Sequence, residues 1–348
     1  MNLQEHIVNL NDPISTVLNK LNLPNHLRTV FVLDQDNKVI GSITDGDIRR
    51  GILKGISVED PCEKLAFKSF KYLQTNNISV RDLKNWKSNG INVLPLLNEK
   101  RELIHILNFN ELKSYLPVSA VIMAGGLGSR LRPLTNNTPK PMLKIGDTPI
   151  LEIGIRRLLS FGITDITICV NYLKEQIIDY FGDGSKFNCK ISYVTEEKPL
   201  GTIGALSLIP QLDNQYILLF NADLLSNIDF EEMFLNHIDS KSDLTIASTM
   251  YKVTLPYAIL ETNNHQITNL AEKPTYTYFA NAGYYIFDKN SLQNIPLNTF
   301  YNATDFADDL INQQKLVSTF PIHGYWNDIG SIDDFQKSLE DFKTIHFY

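Results

Sequence analysis

The sequence predicts an α/β protein of two domains, with a mixed, mostly parallel sheet in the larger one. Three observations support this prediction. The 348 residues are enough for about two domains. From residue 118 to 348, short apolar runs alternate with amphipathic stretches, which is typical of parallel strands joined by helices. Residues 1–117 instead contain two similar segments spaced roughly 60 residues apart, which predicts a pair of βαβ-type modules.

The first segment of residues 1–117 ends in alternating apolar and polar blocks. Val30–Leu33 and Val39–Thr44 are predicted strands on either side of a polar turn, and Asp47–Leu53 is predicted to begin a helix. Residues 90–116 repeat the order strand, polar turn, strand, helix. Pro117 is expected to end that last helix, because proline cannot continue one.

The larger domain is predicted to begin with a strand at Ala120. Residues 163–170 and 215–223 are apolar runs typical of buried parallel strands. Residues 150–162 and 172–182 are amphipathic and end in glycine, which predicts helices. In such folds the ligand binds at the carboxyl ends of the strands.

A glycine-rich loop with nearby cations follows the first predicted strand. Gly125, Gly126 and Gly128 would let backbone N–H groups approach a polyphosphate without a Cβ atom in between. Arg130 and Lys140 would neutralise its charge. The P-loop is excluded because no Gly-Lys-Ser/Thr follows, and the dinucleotide-binding pattern lacks its third glycine.

The string G-G-x-G-S-R-L-R-P-L-T…P-K-P resembles the sugar-1-phosphate nucleotidyltransferases. Five further motifs follow in the family's order: EEKPLGTIGAL (196–206), NADLL (221–225), AEKP (271–274), NAGYYIF (281–287) and WNDIGSIDDF (326–335). The resemblance implies a Rossmann-like domain that transfers a nucleoside monophosphate to a sugar 1-phosphate and releases pyrophosphate. It also implies a homo-oligomer.

This resemblance assigns roles to residues at the matching positions. Arg130 and Lys140 would be catalytic, and Asp223 and Asp328 would hold Mg²⁺, which needs few carboxylates beside phosphate oxygens. The nucleotide would be bound by Ala124, Gly125, Gly126, Gly128, Ser129, Glu196, Pro199, Gly201, Thr202 and Asn221. The sugar phosphate would be bound by Ala258, Glu272, Lys273, Asn281 and Gly283.

The base is expected to contact the segment that begins at Glu196. A carboxylate only accepts hydrogen bonds, and guanine offers two adjacent donors, whereas uracil and thymine present an acceptor beside their N–H. Glu196 therefore favours GTP, provided that it and not Glu197 faces the base; UTP, CTP and dTTP are the alternatives.

The sugar is expected to be glucosamine 1-phosphate. This follows from a resemblance to guanylyltransferases of bacterial surface-glycan pathways that are fused to CBS domains, as in legionaminic acid synthesis. Mannose 1-phosphate and heptose 1-phosphate remain alternatives. Ala258 stands where the family often has glycine, and its methyl group would narrow the sugar pocket.

Residues 1–117 resemble a tandem CBS-domain pair, most clearly at VIGSITDGDIRRGI (39–52). The resemblance implies an adenine nucleotide between the repeats, with Thr44 and Asp47 at its phosphate and ribose. Alternatively, both side chains only cap the helix that follows. The second repeat has NFNEL in place of this pattern, so at most one such site is expected.

Composition excludes several other classes of function. The net charge of −7 leaves no broad basic face for nucleic acid. No apolar run approaches the roughly 20 residues of a membrane span. Cys62, Cys169 and Cys189 are too few and too widely spaced for a disulfide framework, which favours a reducing cytoplasm.

A regulatory protein with an inert transferase domain is the alternative from another class. All five residues that the chemistry needs argue against it, since an inert domain would have no use for the full set: Arg130, Lys140, Asp223, Lys273 and Asp328.

Overall fold

A computed structural model describes residues 3–24, 27–345 and 347. The chain divides into two compact units, Met1–Leu116 and Pro117–Tyr348.

The first unit contains two three-stranded sheets with the same topology. In each, the first strand is parallel to the second, and the second is antiparallel to the third. The first sheet and its helices are β1 (Ile7–Asn9), α1 (Ile14–Leu21), β2 (Thr29–Leu33), β3 (Val39–Thr44) and α2 (Asp45–Leu53). The second consists of β4 (Leu73–Gln74), α3 (Val80–Ser88), β5 (Val93–Leu97) and β6 (Leu103–Asn108). The internal repeat expected from the sequence is therefore present.

The prediction of a helix at the end of the second repeat is wrong. The chain makes one turn after β6. In this turn the backbone carbonyl of Asn108 accepts hydrogen bonds from the N–H groups of Glu111 and Leu112. The Asn108 side chain accepts a further backbone N–H from Asn110. An Asn side chain that bonds a nearby backbone N–H favours a turn over a continuing helix.

The second unit is a seven-stranded sheet with helices. Its strands are β7 (Val118–Ala124), β10 (Asp165–Val170), β11 (Lys190–Thr195), β12 (Tyr216–Asn221), β14 (Leu244–Thr254), β17 (Thr275–Asp288) and β18 (Val317–Pro321). Short ribbons are formed by β8 (Lys144–Ile145) with β9 (Thr148–Pro149), β13 (Leu224–Ser226) with β19 (Trp326–Asp328), and β15 (Ile259–Asn263) with β16 (Gln266–Ala271). The helices are α4 (Ile150–Ser160), α5 (Lys174–Phe181), α6 (Phe230–Ser240), α7 (Ala303–Asn312) and α8 (Ile332–Asp341).

The sheet order is β11-β10-β7-β12-β17-β14-β18. Only β17 runs against its neighbours, and the other four pairings are parallel. The mixed, mostly parallel sheet predicted from the sequence is confirmed. Strand β7 is buried on both faces, as a central parallel strand must be.

The register places the ends of the parallel strands at one edge. Ala124, the last residue of β7, lies beside Val170, the last of β10. Asn221, the last of β12, lies beside Met123. The segments that follow these strands therefore meet at this edge.

Cys62, Cys169 and Cys189 are free thiols. None of the helices in the described part of the chain is long and apolar enough to cross a membrane.

Candidate active site

Two adjoining cavities lie at the carboxyl edge of the sheet, with volumes of about 290 Å³ and 310 Å³. Gly126, Lys140 and Asp223 line both. The first extends from the glycine loop past Glu196 to residues 199–202, and we call it the base cavity after the base predicted to contact that segment. The second, the phosphate cavity, lies among Gly128, Ser129, Arg130, Asp328 and Gly330.

The glycine loop turns sharply at Gly128, whose φ of 60° lies in the left-handed region that favours glycine. A Cβ atom there would lie 3.1 Å from the Lys140 Cβ and 3.0 Å from a methyl carbon of Thr135. Thr135 also donates a 2.8 Å hydrogen bond to the Gly128 carbonyl. Lys140 begins a short 3-10 turn between Pro139 and Pro141, and this rigid turn holds the lysine against the loop.

A short β-ribbon brings the two predicted metal ligands together. Leu224 of β13 pairs with Asp328 of β19, so Asp223, one residue earlier, lies beside Asp328. The backbone N–H of Ile329 donates to the Asp223 carbonyl at 3.2 Å. Residues more than 100 positions apart thus become neighbours through main-chain pairing.

The two carboxylates differ in their surroundings. Lys140 Nζ donates to Asp223 Oδ2 in an ion pair, whereas Asp223 Oδ1 is buried and has no hydrogen-bond partner among the residues that the structure describes. Burial raises the pKa of Asp328, and the negative charge of Asp223 raises it further, while Lys140 and Arg130 oppose the shift. Ionisation of Asp328 is therefore disfavoured mainly by its burial, and a cation bound beside it would favour the charged form.

This donor set fits a magnesium ion. A buried carboxylate oxygen without a partner is unfavourable unless something binds it. Mg²⁺ is commonly held by one or two carboxylates together with substrate phosphates. Within residues 3–24, 27–345 and 347, no group of three or more His, Cys, Asp or Glu side chains could hold a metal by itself. Asp223 and Asp328 therefore suit an ion that is shared with a phosphate substrate.

A separate apolar cluster lies next to these polar residues in the chain. Leu131 follows Arg130, Ile329 follows Asp328, and Leu225 lies two residues beyond Asp223; all three are 1% exposed or less. Leu143, which ends the Lys140 turn, belongs to the same cluster. Close packing of these neighbours fixes the backbone positions from which the charged side chains extend.

Glu196 follows β11 and is buried in the wall of the base cavity, with 6% of its surface exposed. Its Oε2 accepts the backbone N–H of Leu200 at 3.0 Å. Its Oε1 lies 2.7 Å from where a Cβ atom at Gly125 would be, so only glycine fits at that position without a shift. Burial raises the pKa of Glu196, and the Leu200 hydrogen bond opposes the rise.

Residues 199–204 pack against a segment that the sequence analysis missed. Phe300 lines the base cavity, but it lies outside every recognised motif. Its one sequence signal was an aromatic residue in a polar connection just before α7. The predicted Gly201 has φ 79°, and a Cβ atom there would lie 2.5 Å from the Tyr301 carbonyl oxygen.

The structure brings most of the predicted site residues together. The following line one or both cavities: Ala124, Gly125, Gly126, Gly128, Ser129, Arg130, Lys140, Glu196, Pro199, Gly201, Thr202, Asn221, Asp223 and Asp328. The residues expected to bind the sugar phosphate do not line either one.

Those sugar-phosphate residues lie on or beside the antiparallel strands β14–β17. Ala258 and Glu272 flank the paired residues Ile259 and Ala271 at the base of the β15–β16 ribbon, and both are exposed. Lys273 is exposed, with φ 44°. Two others lie further along β17.

Of these two, Gly283 lies nearer the site. A Cβ atom on it would be 3.5 Å from the Asn221 amide nitrogen and 2.9 Å from a methyl carbon of Leu224. Asn281 donates to the Tyr285 hydroxyl and accepts the Gly283 N–H, each at 2.9 Å. Its amide is therefore used within β17.

In the first unit, Thr44 and Asp47 form the capping box of α2. Asp47 accepts from the Thr44 N–H at 2.8 Å and from its hydroxyl at 2.7 Å, and it pairs with Arg50 at 2.7 Å. These contacts match the capping interpretation, and adenine nucleotide binding there stays a prediction.

Two family models match the chain. The nucleotidyl transferase model matches residues 119–344, and the CBS domain model matches residues 1–54.

Similar proteins include several guanylyltransferases. The chain is 31% identical over 231 residues to the mannose-1-phosphate guanylyltransferase of Mycobacterium tuberculosis, covering 64% of each chain. It is 30% identical over 232 residues to the mannose-1-phosphate guanyltransferase of Pichia angusta, covering 64% of this chain and 63% of that one. The chain thus spans somewhat less than two thirds of the length of these relatives.

Solved structures also match. The crystal structure of HddC from Yersinia pseudotuberculosis has a TM-score of 0.52 and 28% identity, over 65% of this chain and 99% of that one. A second structure of HddC, complexed with GMP-PN, has the same TM-score and 26% identity over the same shares of both chains.

Proposed function

Because this chain belongs to the nucleotidyl transferase family, among its sugar-1-phosphate nucleotidyltransferases, we propose that it transfers GMP from GTP to a sugar 1-phosphate. The observation that supports this most is the arrangement of the two cavities. The base cavity contains the buried carboxylate of Glu196, and the adjoining phosphate cavity contains two cations and two carboxylates. A nucleoside triphosphate with its base in the first would place its phosphates in the second.

In this reaction an oxygen of the sugar's phosphate forms a bond to the α-phosphorus of GTP. The bond from that phosphorus to the oxygen of the leaving pyrophosphate breaks, and the product is a GDP-sugar. Two anionic reactants must approach each other, so much of the barrier is electrostatic. No protein nucleophile is required.

The residues of the chain act on that charge. Backbone N–H groups of the loop at Gly125, Gly126 and Gly128 would bind phosphate oxygens. Lys140 and Arg130 would pair with the triphosphate as charge develops on the leaving pyrophosphate. Because Lys140 is already held beside Asp223, little reorganisation is needed when the nucleotide binds.

Asp223 and Asp328 would hold Mg²⁺. When bound, the ion would supply positive charge that neutralises phosphate oxygens. The buried, unpartnered Oδ1 of Asp223 supports this role.

The preference for GTP is supported by two independent observations. Glu196 offers only acceptors to a base, which suits the donors of guanine. Relatives in M. tuberculosis and P. angusta are named guanylyltransferases, and HddC was crystallised with GMP-PN.

For the sugar, the names of the relatives make mannose 1-phosphate the first candidate to test. Glucosamine 1-phosphate, expected from the sequence, and heptose 1-phosphate are the other two. The exposed positions of Ala258, Glu272 and Lys273 favour none of the three.

A matrix of substrates tests the proposal. GTP, UTP, CTP and dTTP would each be combined with the three sugar 1-phosphates and Mg²⁺, and pyrophosphate release would be measured. We expect release with GTP and at least one sugar 1-phosphate. Release with UTP or dTTP in preference to GTP would overturn the base assignment, and no release in any combination would favour an inert domain.

A further inference from the structure

Phe300 is an exposed aromatic residue in the wall of the base cavity. The residue is 60% exposed, whereas the next residue, Tyr301, is 9% exposed and belongs to an apolar core cluster of the second unit. The two neighbours thus differ: Tyr301 packs inside, whereas Phe300 lies at the surface and lines the cavity.

Hydrogen bonds hold this segment against the loop expected to contact the base. The Tyr301 N–H donates to the Leu200 carbonyl at 2.9 Å, and the Tyr301 carbonyl accepts from Ile203 and Gly204, both at 3.2 Å. The Ala303 N–H donates to the Thr202 hydroxyl at 2.8 Å. The backbone that presents Phe300 is thus joined to the loop that follows Glu196.

Two glycines show how closely the segments approach. A Cβ atom at Gly201 would lie 2.5 Å from the Tyr301 carbonyl oxygen, and one at Gly204 would lie 2.5 Å from the Thr299 carbonyl oxygen. These two carbonyls flank Phe300 in the chain. The ring is therefore presented from a backbone with little freedom to move relative to Pro199 and Glu196.

We infer that Phe300 stacks on the flat face of the nucleotide base and forms one wall of its binding site. This inference rests on the proposed function, because it requires that a nucleotide base occupies the cavity. Phenylalanine has no polar group, so covering its ring with a base removes apolar surface from water. Aromatic side chains stack on any base, because every base has a π-face.

With this assignment, two residues have different roles in binding the base. Phe300 contributes affinity that depends little on the identity of the base, and Glu196 distinguishes bases by the hydrogen bonds it accepts at their edge. Leu297 provides a contrast: it is 76% exposed in the same connection but lines neither cavity. Exposure alone is common for an apolar residue; the cavity and the fixed backbone distinguish Phe300.

Calorimetric titration of the full chain with GTP and Mg²⁺, without sugar 1-phosphate, tests the inference. Phe300→Leu keeps an apolar side chain but loses the aromatic face, and we expect it to weaken GTP binding by about tenfold or more. Phe300→Trp should bind GTP at least about as tightly as the wild type, and Leu297→Ala should be unchanged. Since stacking contributes to ground-state binding, KM for GTP should rise in Phe300→Leu while kcat stays within about twofold.

Two results would overturn the inference alone: wild-type GTP affinity in Phe300→Leu, or an equal loss in Leu297→Ala, which would indicate a general effect on the loop. A thermal melt of each variant checks that the fold is intact. If the wild-type chain binds none of the four nucleoside triphosphates, the proposed function fails, and this inference fails with it.

Discussion

Lys140 and Asp223, 83 positions apart in the sequence, form an ion pair, while the second carboxylate oxygen of Asp223 has no hydrogen-bond partner in the described part of the chain. The pair joins the glycine-loop region to the end of β12. It places a cation and a free carboxylate oxygen at the boundary of the two cavities. Each residue of this ion pair gives a separate testable prediction.

Asp223→Asn should reduce kcat by on the order of 10²–10³-fold, because it removes the charge proposed to hold Mg²⁺. The amide is nearly isosteric with the carboxylate, so the melting temperature should change little. Pyrophosphate release at increasing Mg²⁺ concentration measures the effect. Asp333→Asn changes an exposed acid in the first turn of α8 that lines neither cavity, and it is the matched control. Full activity in Asp223→Asn would show that Asp223 does not hold the metal ion.

Lys140→Gln should lower kcat/KM for the nucleotide by about 10²-fold, because it removes a fixed positive charge from the phosphate cavity. It also leaves Asp223 without its cation. Lys144→Gln, four residues along and exposed in β8, provides the control. Steady-state kinetics with varied GTP measure both variants, and similar losses in the two would argue against a specific role for Lys140.

Glu196→Gln should loosen the choice of base. The glutamine can keep a carbonyl oxygen for the Leu200 N–H while presenting an NH₂ group where Glu196 Oε1 lies. We expect the preference for GTP over UTP or dTTP to fall by about 10- to 100-fold, the size of a hydrogen bond to a charged group. Competition between nucleotides measures it. Glu197→Gln changes the exposed neighbour and should keep the wild-type preference. An unchanged preference in Glu196→Gln would show that another residue selects the base.

The variants Gly125→Ala and Gly126→Ala should distinguish an effect on packing from an effect on ligand binding. The added methyl group at Gly125 would meet Glu196 Oε1 at 2.7 Å, whereas at Gly126 it meets nothing within 4 Å. Gly125→Ala should therefore be destabilising by about 1–3 kcal/mol, as overpacking usually is. Gly126→Ala should keep its stability within about 0.5 kcal/mol but weaken nucleotide binding, because it adds a methyl group to a residue that lines both cavities. Thermal melts and GTP titrations of both variants check this. Equal stability of the two would contradict the packing found at Gly125.

Local sequence patterns predicted the fold well where one interaction dominates. The apolar runs that became β10 and β12 are buried on both faces, so their composition alone indicates parallel strands. The prediction of a helix before Pro117 failed because the Asn108 side chain bonds a nearby backbone N–H and holds the chain in a turn.

The site was predictable where motifs lie close to strand ends, and less so elsewhere. Asp328 meets Asp223 only through the β13–β19 pairing, which spacing does not encode; the motif resemblance located it. Phe300 reaches the base cavity through hydrogen bonds to residues about 100 positions away, so no local pattern marks it. The homo-oligomer and the cytoplasmic location stay predictions.

Another cavity, of about 470 Å³, lies away from the carboxyl edge and is lined by a buried histidine that gives a pH prediction. His237 is 2% exposed, and its Nδ1 lies 2.8 Å from the Thr245 hydroxyl. Burial lowers its pKa to about 4, although the charges of Asp288 and Asp243 act in the opposite direction. In the unfolded chain the ring takes its usual pKa of about 6.5.

The unfolded state therefore binds more protons at His237 than the folded state does between about pH 6.5 and 4. The stability from the neutral ring is fully present above pH 6.5 and is lost as the pH falls toward 4. The loss should amount to on the order of 2–3 kcal/mol, seen as a falling melting temperature of the second unit. His237→Gln keeps a polar group opposite Thr245 but cannot titrate, so its melting temperature should fall less between pH 7 and pH 4.5 than that of the wild type. Scanning calorimetry at several pH values compares the two slopes, and parallel slopes would show that His237 is not the group responsible.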